Sequence, residues 1–285
     1  MKVAAPGPLV DVAWLAKNLD DPRVRVVDVR WYLSGKRGAD EYLRGHIPGA
    51  AFVDLDLDLA APKGSGPGRH PLPTSTEFAR MLARIGVTRG SIIVAYDDAG
   101  GAFAARMWWL LRWFGHPGAC VLDGGLPAWV AAGHALVTST PALTMAPQLA
   151  LRPRNVGLVD KGIVDRLRGD PRAKVLDARA RERFEGRSEP IDARAGHIPG
   201  AIAAPFVENL VAPGGVFLPT EALADRYRSL GVLQAEQIVC YCGSGVTACH
   251  DLLALALAGR DDALLYEGSW SDWSADSALP VATGP

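Results

Sequence analysis

The residue types that could do chemistry in this 285-residue chain gather in one stretch, IVCYCGSGVTACHDLLALALAG, from Ile238 to Gly259. Cys242 ends a β-branched run; Gly243, Ser244, Gly245, Val246 and Thr247 follow it, and an apolar helical pattern starts near Val246. Glycines permit backbone angles at which successive N–H groups turn inward and form an anion-binding nest. The N-terminus of the following helix adds a positive end. Both effects favour thiolate over thiol, and the same cradle suits a persulfide or an oxyanion. Cys242 is therefore read as a nucleophile. Cys240 and Cys249, placed within the strand and the helix, read as small buried hydrophobes. A metal pair at Cys240 and Cys242 would supply two ligands and no second pair nearby.

Such a turn needs a strand ahead of it, a helix behind it and a sheet beneath, and the chain contains that arrangement twice. VVDVR (Val26 to Arg30) recurs as VLDAR (Val175 to Arg179), and GHIPGA recurs at Gly45 and at Gly196. IGVTRGSIIVAYD (Ile85 to Asp97) matches LGVLQAEQIVCYC (Leu230 to Cys242), and LDGGLPAW matches YEGSWSDW. Second copies lie about 150 residues after the first, which marks two homologous halves. The predicted division is a first domain over 1–140, an extended proline-containing linker over 141–157 and a second domain over 158–285.

In each half, short β-branched runs alternate with helical patterns. RVRVVDV, SIIVAYD and ACVLDGG read as strands; STEFARMLARIGV and FAARMWWLLRWFG read as helices. Apolar strands separated by helices predict an α/β fold, a mostly parallel sheet flanked by helices on both faces in each half. Functional groups in such sheets gather at the carboxyl ends of strands, where Cys242 sits. The duplication also supplies a comparison. His46 and His197 occur in both copies of GHIPGA and read as turn histidines bonded to local backbone, not as metal ligands. Trp108, Trp109, Trp113 and Phe114, at helical spacing, read as core. Cys242 is present in one half alone, because its counterpart is Asp97.

Composition is that of an ordinary globular protein, 49% hydrophobic and 21% charged, and a formal charge of −1 offers no basic field for nucleic acid. Four cysteines do not make a disulfide framework at this length. Pro6, Pro8 and Asp11 interrupt the first segment where a signal peptide needs an apolar run, and no run approaches the length of a membrane span. The expectation is a reducing cytoplasm, with small molecules or proteins as partners.

The set of CGSGVTA, a duplicated chain, GHIPGA in both halves and the DGG…W or EGSW…W turns resembles the two-domain rhodanese-type sulfurtransferases. Its loop is most similar to the 3-mercaptopyruvate branch. The resemblance implies two tandem rhodanese-like domains, an inert first and a catalytic second, with the site in the cleft between them. It implies a two-step displacement: Cys242 takes sulfur from a donor as a persulfide, and a thiol such as thioredoxin, a small thiol or cyanide removes it. No metal or organic cofactor is implied. By position it makes Cys242 the nucleophile and Gly243, Gly245, Val246 and Thr247 the anion cradle. It also has Ser244 act with His70 and Asp56 on the keto group and its protons, and Arg183 bind the donor carboxylate. The mercaptopyruvate branch usually carries a second arginine directly after the Glu-Pro of the Arg183 loop; this chain has Ile191 there, with Arg187 and Arg194 nearby. Thiosulfate-selective members carry Arg and Lys after the cysteine, where this chain has Gly243 and Ser244. Mercaptopyruvate therefore ranks first as donor and thiosulfate second.

Two other readings rank lower. A cysteine phosphatase or arsenate reductase needs an arginine six residues beyond its cysteine, and Ala248 stands there. A non-catalytic rhodanese-like binding module would be expected to lack the cysteine, as the first half does.

Overall fold

The computed structural model describes residues 7–212 and 214–285. Its contacts define two compact units. The first holds the described part of Met1–Ala60, Pro73–Arg154 and the described part of Ala212–Phe217; the second holds Ala61–Leu72, Asn155–Val211 and Leu218–Pro285. The segment 61–72 thus packs with the second unit although it precedes most of the first in sequence, and it brings Arg69 and His70 with it.

The first unit is built on β1 (Leu9–Val10), β2 (Val24–Asp28), β3 (Ala51–Phe52), β4 (Ile92–Tyr96) and β5 (Ala119–Leu122), paired in parallel in the order β1-β5-β4-β2-β3. The second repeats it with β6 (Leu158–Val159), β7 (Ala173–Asp177), β8 (Ile202–Ala203), β9 (Gln237–Tyr241) and β10 (Leu264–Tyr266), in the order β6-β10-β9-β7-β8. β4 is buried along its whole length, and β9 at every residue after Gln237. That explains why both read as continuous apolar runs instead of alternating ones.

The helices fall where caps and periodicity place them. Ser75–Arg84 starts at Thr74, whose hydroxyl accepts from the Glu77 amide while the Glu77 carboxylate accepts from the Thr74 amide, a reciprocal cap that satisfies two orphan donors. Ala104–Trp113 buries Trp108 and Trp109. Residues 140–154 form no helix or strand; they run along the first unit, where Ala146 donates to the Ala83 carbonyl and Arg154 to that of Trp113.

The duplicated motifs turn out to be braces. Asp28 at the end of β2 accepts from the Arg30 guanidinium, which reaches on to the Gly45 carbonyl; Asp177 and Arg179 repeat this onto Gly196. His46 Nδ1 donates to the Tyr42 carbonyl at 2.8 Å and its ring stacks on Tyr42, while His197 does the same with Phe184 at 2.7 Å. Residues common to both halves therefore hold strand ends to the turns that follow them.

Candidate active site

β9 delivers Cys242 to the carboxyl edge of the second sheet, with its side chain almost buried at 2% exposure. The chain then takes a left-handed step at Gly245 (φ +77°), so the helix opens at Ala248, two residues later than Val246. A Cβ at Gly245 would lie 2.5 Å from the Glu267 carbonyl oxygen, so both the angle and the space require glycine. Buried Leu252, Leu253 and Leu255 anchor the Ala248–Leu257 helix behind the loop, each contributing about 2 kcal/mol.

The turn after β10 fixes the loop from below. Trp270 donates to the Cys242 carbonyl at 2.9 Å and Ser271 to that of Gly243 at 3.0 Å. Ser269, with φ 53°, accepts from the Cys242 amide at 3.1 Å and donates to the Tyr266 carbonyl at 2.9 Å. Its counterpart in the first unit is Gly125, also left-handed. A serine in that conformation costs about 1–2 kcal/mol, which the two hydroxyl bonds offset. The Ser244 amide points at Cys242 Sγ, 3.5 Å away. Among the described residues, the amides of Gly243, Val246 and Thr247 donate to no protein acceptor.

The first unit shows what this turn holds when its residue is a carboxylate. Asp97 accepts four backbone N–H bonds, from Ala99 and Gly101 through one oxygen and from Phe103 and Ala104 through the other, all at 2.8–2.9 Å. Burial pushes its carboxyl up from the ordinary value, and the four amides pull the other way. The turn is an anion nest filled by its own side chain. In the second unit a shorter loop carries a thiol instead.

Two side chains singled out with Cys242 join it within the second unit. His70 Nδ1 lies 2.7 Å from Ser244 Oγ. The segment that carries it is pinned by the Arg69 amide on Ser271 Oγ (3.1 Å) and the Leu72 amide on the Glu267 carboxylate (3.0 Å). Arg183 approaches the loop through Gly243: a Cβ there would be 3.5 Å from its Nη1. Glu189 accepts from Arg183 at Nη2 (2.7 Å) and Nε (3.2 Å), and from Arg179 at 3.2 Å. Burial raises the Glu189 carboxyl, but Arg183 and the Asp192 and Ile191 amides outweigh it and hold the group below the usual range. Asp56 belongs to the first unit, where Trp31 Nε1 donates to its carboxylate at 2.8 Å.

Sequence reasoning missed Arg69 and Asp192. Asp192 accepts from Arg183 at 3.0 Å and from Arg69. Burial is the largest influence on its carboxyl and pushes it up, against the pull of the two arginines. Of the arginines weighed as replacements at Ile191, Arg187 pairs with Glu185 on the surface and Arg194 is spent on four backbone carbonyls, those of Ser274, Leu279, Trp273 and Asp276. Arg69 adjoins His70, which was the available signal; no pattern linked it to Asp192, 123 residues away. Cys240, fully buried, has its thiol pushed up by burial, and Cys249 Sγ donates to the Gly245 carbonyl at 3.5 Å. All four cysteines are free thiols.

A cysteine at a strand end with the amide of Ser244 on its sulfur, on a duplicated five-stranded parallel sheet, is the arrangement of a rhodanese-type protein, and known proteins match it. The rhodanese-like domain matches twice, over residues 11–132 and 160–276. A Pseudomonas aeruginosa protein named "Probable 3-mercaptopyruvate sulfurtransferase" is 47% identical over 280 residues, covering 97% of this chain and 98% of its own. The Arabidopsis thaliana mitochondrial thiosulfate/3-mercaptopyruvate sulfurtransferase 1 is 34% identical over 98% of this chain and 79% of its own. The crystal structure of the 3-mercaptopyruvate sulfurtransferase SseA from Escherichia coli superposes with a TM-score of 0.81 at 33% identity, covering 93% of this chain and 99% of that one. The chain belongs to the rhodanese family, in its two-domain form resembling the 3-mercaptopyruvate sulfurtransferases.

Proposed function

We propose that this protein moves sulfur from 3-mercaptopyruvate to a thiol or cyanide through a persulfide on Cys242. The observation that carries the reading is the exchange, at equivalent strand-end turns, of Asp97, an anion held by four amides, for Cys242 with the Ser244 amide on its sulfur. A nest that suits a carboxylate suits an anionic sulfur.

In the first step the Cys242 thiolate attacks the donor sulfur. A sulfur–sulfur bond forms and the carbon–sulfur bond breaks, leaving the enolate of pyruvate, which takes up a proton. Ser244 and His70, hydrogen-bonded to one another, stand to polarise the keto oxygen and supply that proton; Asp56 is retained in the proposal on the family resemblance alone. In the second step an acceptor thiolate or cyanide attacks the outer sulfur, the sulfur–sulfur bond breaks, and the Cys242 thiolate returns. Arg183 holds the donor carboxylate. Thiosulfate, which would release sulfite, is the second donor. Against it, Arg69, Arg179 and Arg183 already face Asp177, Glu189 and Asp192, and a charge-balanced cluster suits a monoanion better than a dianion. The acceptor is proposed to be thioredoxin, a small thiol or cyanide, in the cytoplasm, a reducing setting in which the four free thiols persist. Among the described residues no helix is long and apolar enough to cross a membrane.

Cys242→Ser tests the proposal, with kcat/KM measured for mercaptopyruvate and thiosulfate side by side. Transfer from both donors is expected to vanish while the circular dichroism spectrum stays unchanged. Appreciable turnover by the variant would remove Cys242 as the sulfur carrier, and a wild-type preference for thiosulfate would reverse the donor ranking.

A further inference from the structure

We infer that Arg69 is a second donor-binding residue, holding the donor's carboxylate together with Arg183 above Gly243; this deepens the sulfurtransferase reading and rests on it. A Cβ at Gly243 would lie 3.0 Å from Arg69 Nη2 and 3.5 Å from Arg183 Nη1, so one guanidinium nitrogen from each residue converges on the backbone next to the nucleophile. Neither nitrogen donates to an acceptor among the described residues. The remaining bonds of Arg183 go to Glu189 and Asp192 through Nε and Nη2, and that of the Arg69 guanidinium to Asp192 through Nη1.

Two cations brought to one point repel unless a carboxylate spaces them. Asp192 does this: one oxygen accepts from Arg69 and the other from Arg183, and its side chain is 4% exposed. Its chelation fixes both forks with their outer nitrogens toward Gly243, an arrangement prepared for a planar carboxylate. The strap bearing Arg69 is locally fixed as well. At Gly68 (φ +72°) a Cβ would lie 2.5 Å from the Gly268 carbonyl oxygen, and the Arg69 amide donates to Ser271. Arg69 also lines an open depression of about 370 Å³ with Ile191 and Asp192, and its side chain is 22% exposed. Ile191, where a cation was expected, carries none; Arg69 supplies the charge from the 61–72 segment.

The test is steady-state kinetics of Arg69→Gln on the full chain with mercaptopyruvate, beside Arg183→Ala and wild type, with a thermal melt of each and mass analysis of Cys242 at saturating donor. For Arg69→Gln the inference expects KM to rise about 10- to 100-fold, the loss of one charged hydrogen bond, with kcat within about threefold. It also expects Cys242 still loaded with sulfur at saturation, and partial recovery of KM in Arg69→Lys. An unchanged KM in Arg69→Gln, or an equal fall in kcat with KM unmoved, overturns the inference and leaves the Cys242 reading standing. Wild-type protein that does not load Cys242 from mercaptopyruvate overturns both. If Arg69→Gln melts well below wild type, Arg69→Lys, which keeps the charge near Asp192, decides by the same KM criterion.

Discussion

Gly245→Ala tests whether the loop after Cys242 is fixed by the close approach of the Glu267 carbonyl. Two costs act together. At φ +77° an alanine pays about 1–2 kcal/mol for the left-handed conformation. Its Cβ would also meet the Glu267 carbonyl oxygen at 2.5 Å, with that residue's Cα and carbonyl carbon at 3.1 and 3.2 Å. All three atoms are backbone and must move as a unit, adding about 1–3 kcal/mol. Gly231 isolates the first cost, since it has φ +67° and nothing within 4 Å of its Cβ position. At about 2–4 °C per kcal/mol, Gly231→Ala should lower the melting temperature by about 2–8 °C and Gly245→Ala by about 4–20 °C. Sulfur transfer should remain near wild type in Gly231→Ala. In Gly245→Ala it should fall at least about tenfold, because the displaced loop carries the Ser244 amide off Cys242. Calorimetry and a pyruvate-release assay on both variants measure this. Equal melting shifts with equal activities would refute the reasoning.

Two further outcomes are expected. His70→Ala breaks the 2.7 Å bond to Ser244 and should cut kcat on mercaptopyruvate about 100-fold while leaving thiosulfate transfer within about threefold, because sulfite release needs no enol protonation; an equal loss on both donors would contradict that role. Asp251, fully buried in the Ala248–Leu257 helix, has its carboxyl pushed up to about 7, chiefly by burial. Its pKa is raised in the folded chain, so the unfolded chain loses the proton first and stability attributable to this group falls as pH rises from about 4 to about 7. Asp251→Asn keeps an oxygen for Asn209 and Tyr227, which both donate to Asp251 Oδ1. Denaturant melts should show its stability relative to wild type rising across that window and flat above it; a constant difference would show that the carboxyl ionises normally.

Much of this was legible in the sequence because it is local. Apolar runs such as SIIVAYD and the Thr74 cap mark β4 and the Ser75–Arg84 helix without reference to distant residues. The repeat separated braces such as Asp28 and Arg30 from a position, Asp97 against Cys242, where the halves differ in chemistry. Arg69 and Asp192 were not legible, because their pairing arises only when the 61–72 segment packs with the second unit, and no periodicity encodes a contact across that separation. Ser269 escaped for a different reason: serine at φ 53° runs against local preference, and only the hydrogen bonds of its hydroxyl with the Cys242 amide and the Tyr266 carbonyl account for it.

The most direct test of the central claim is intact-mass and peptide analysis of protein treated with mercaptopyruvate without acceptor, and again after a thiol is added. The account predicts the mass of one extra sulfur atom on the peptide carrying Cys242, with Cys120, Cys240 and Cys249 unchanged, and its loss on adding the thiol. An unmodified Cys242 in protein that has released pyruvate would contradict it.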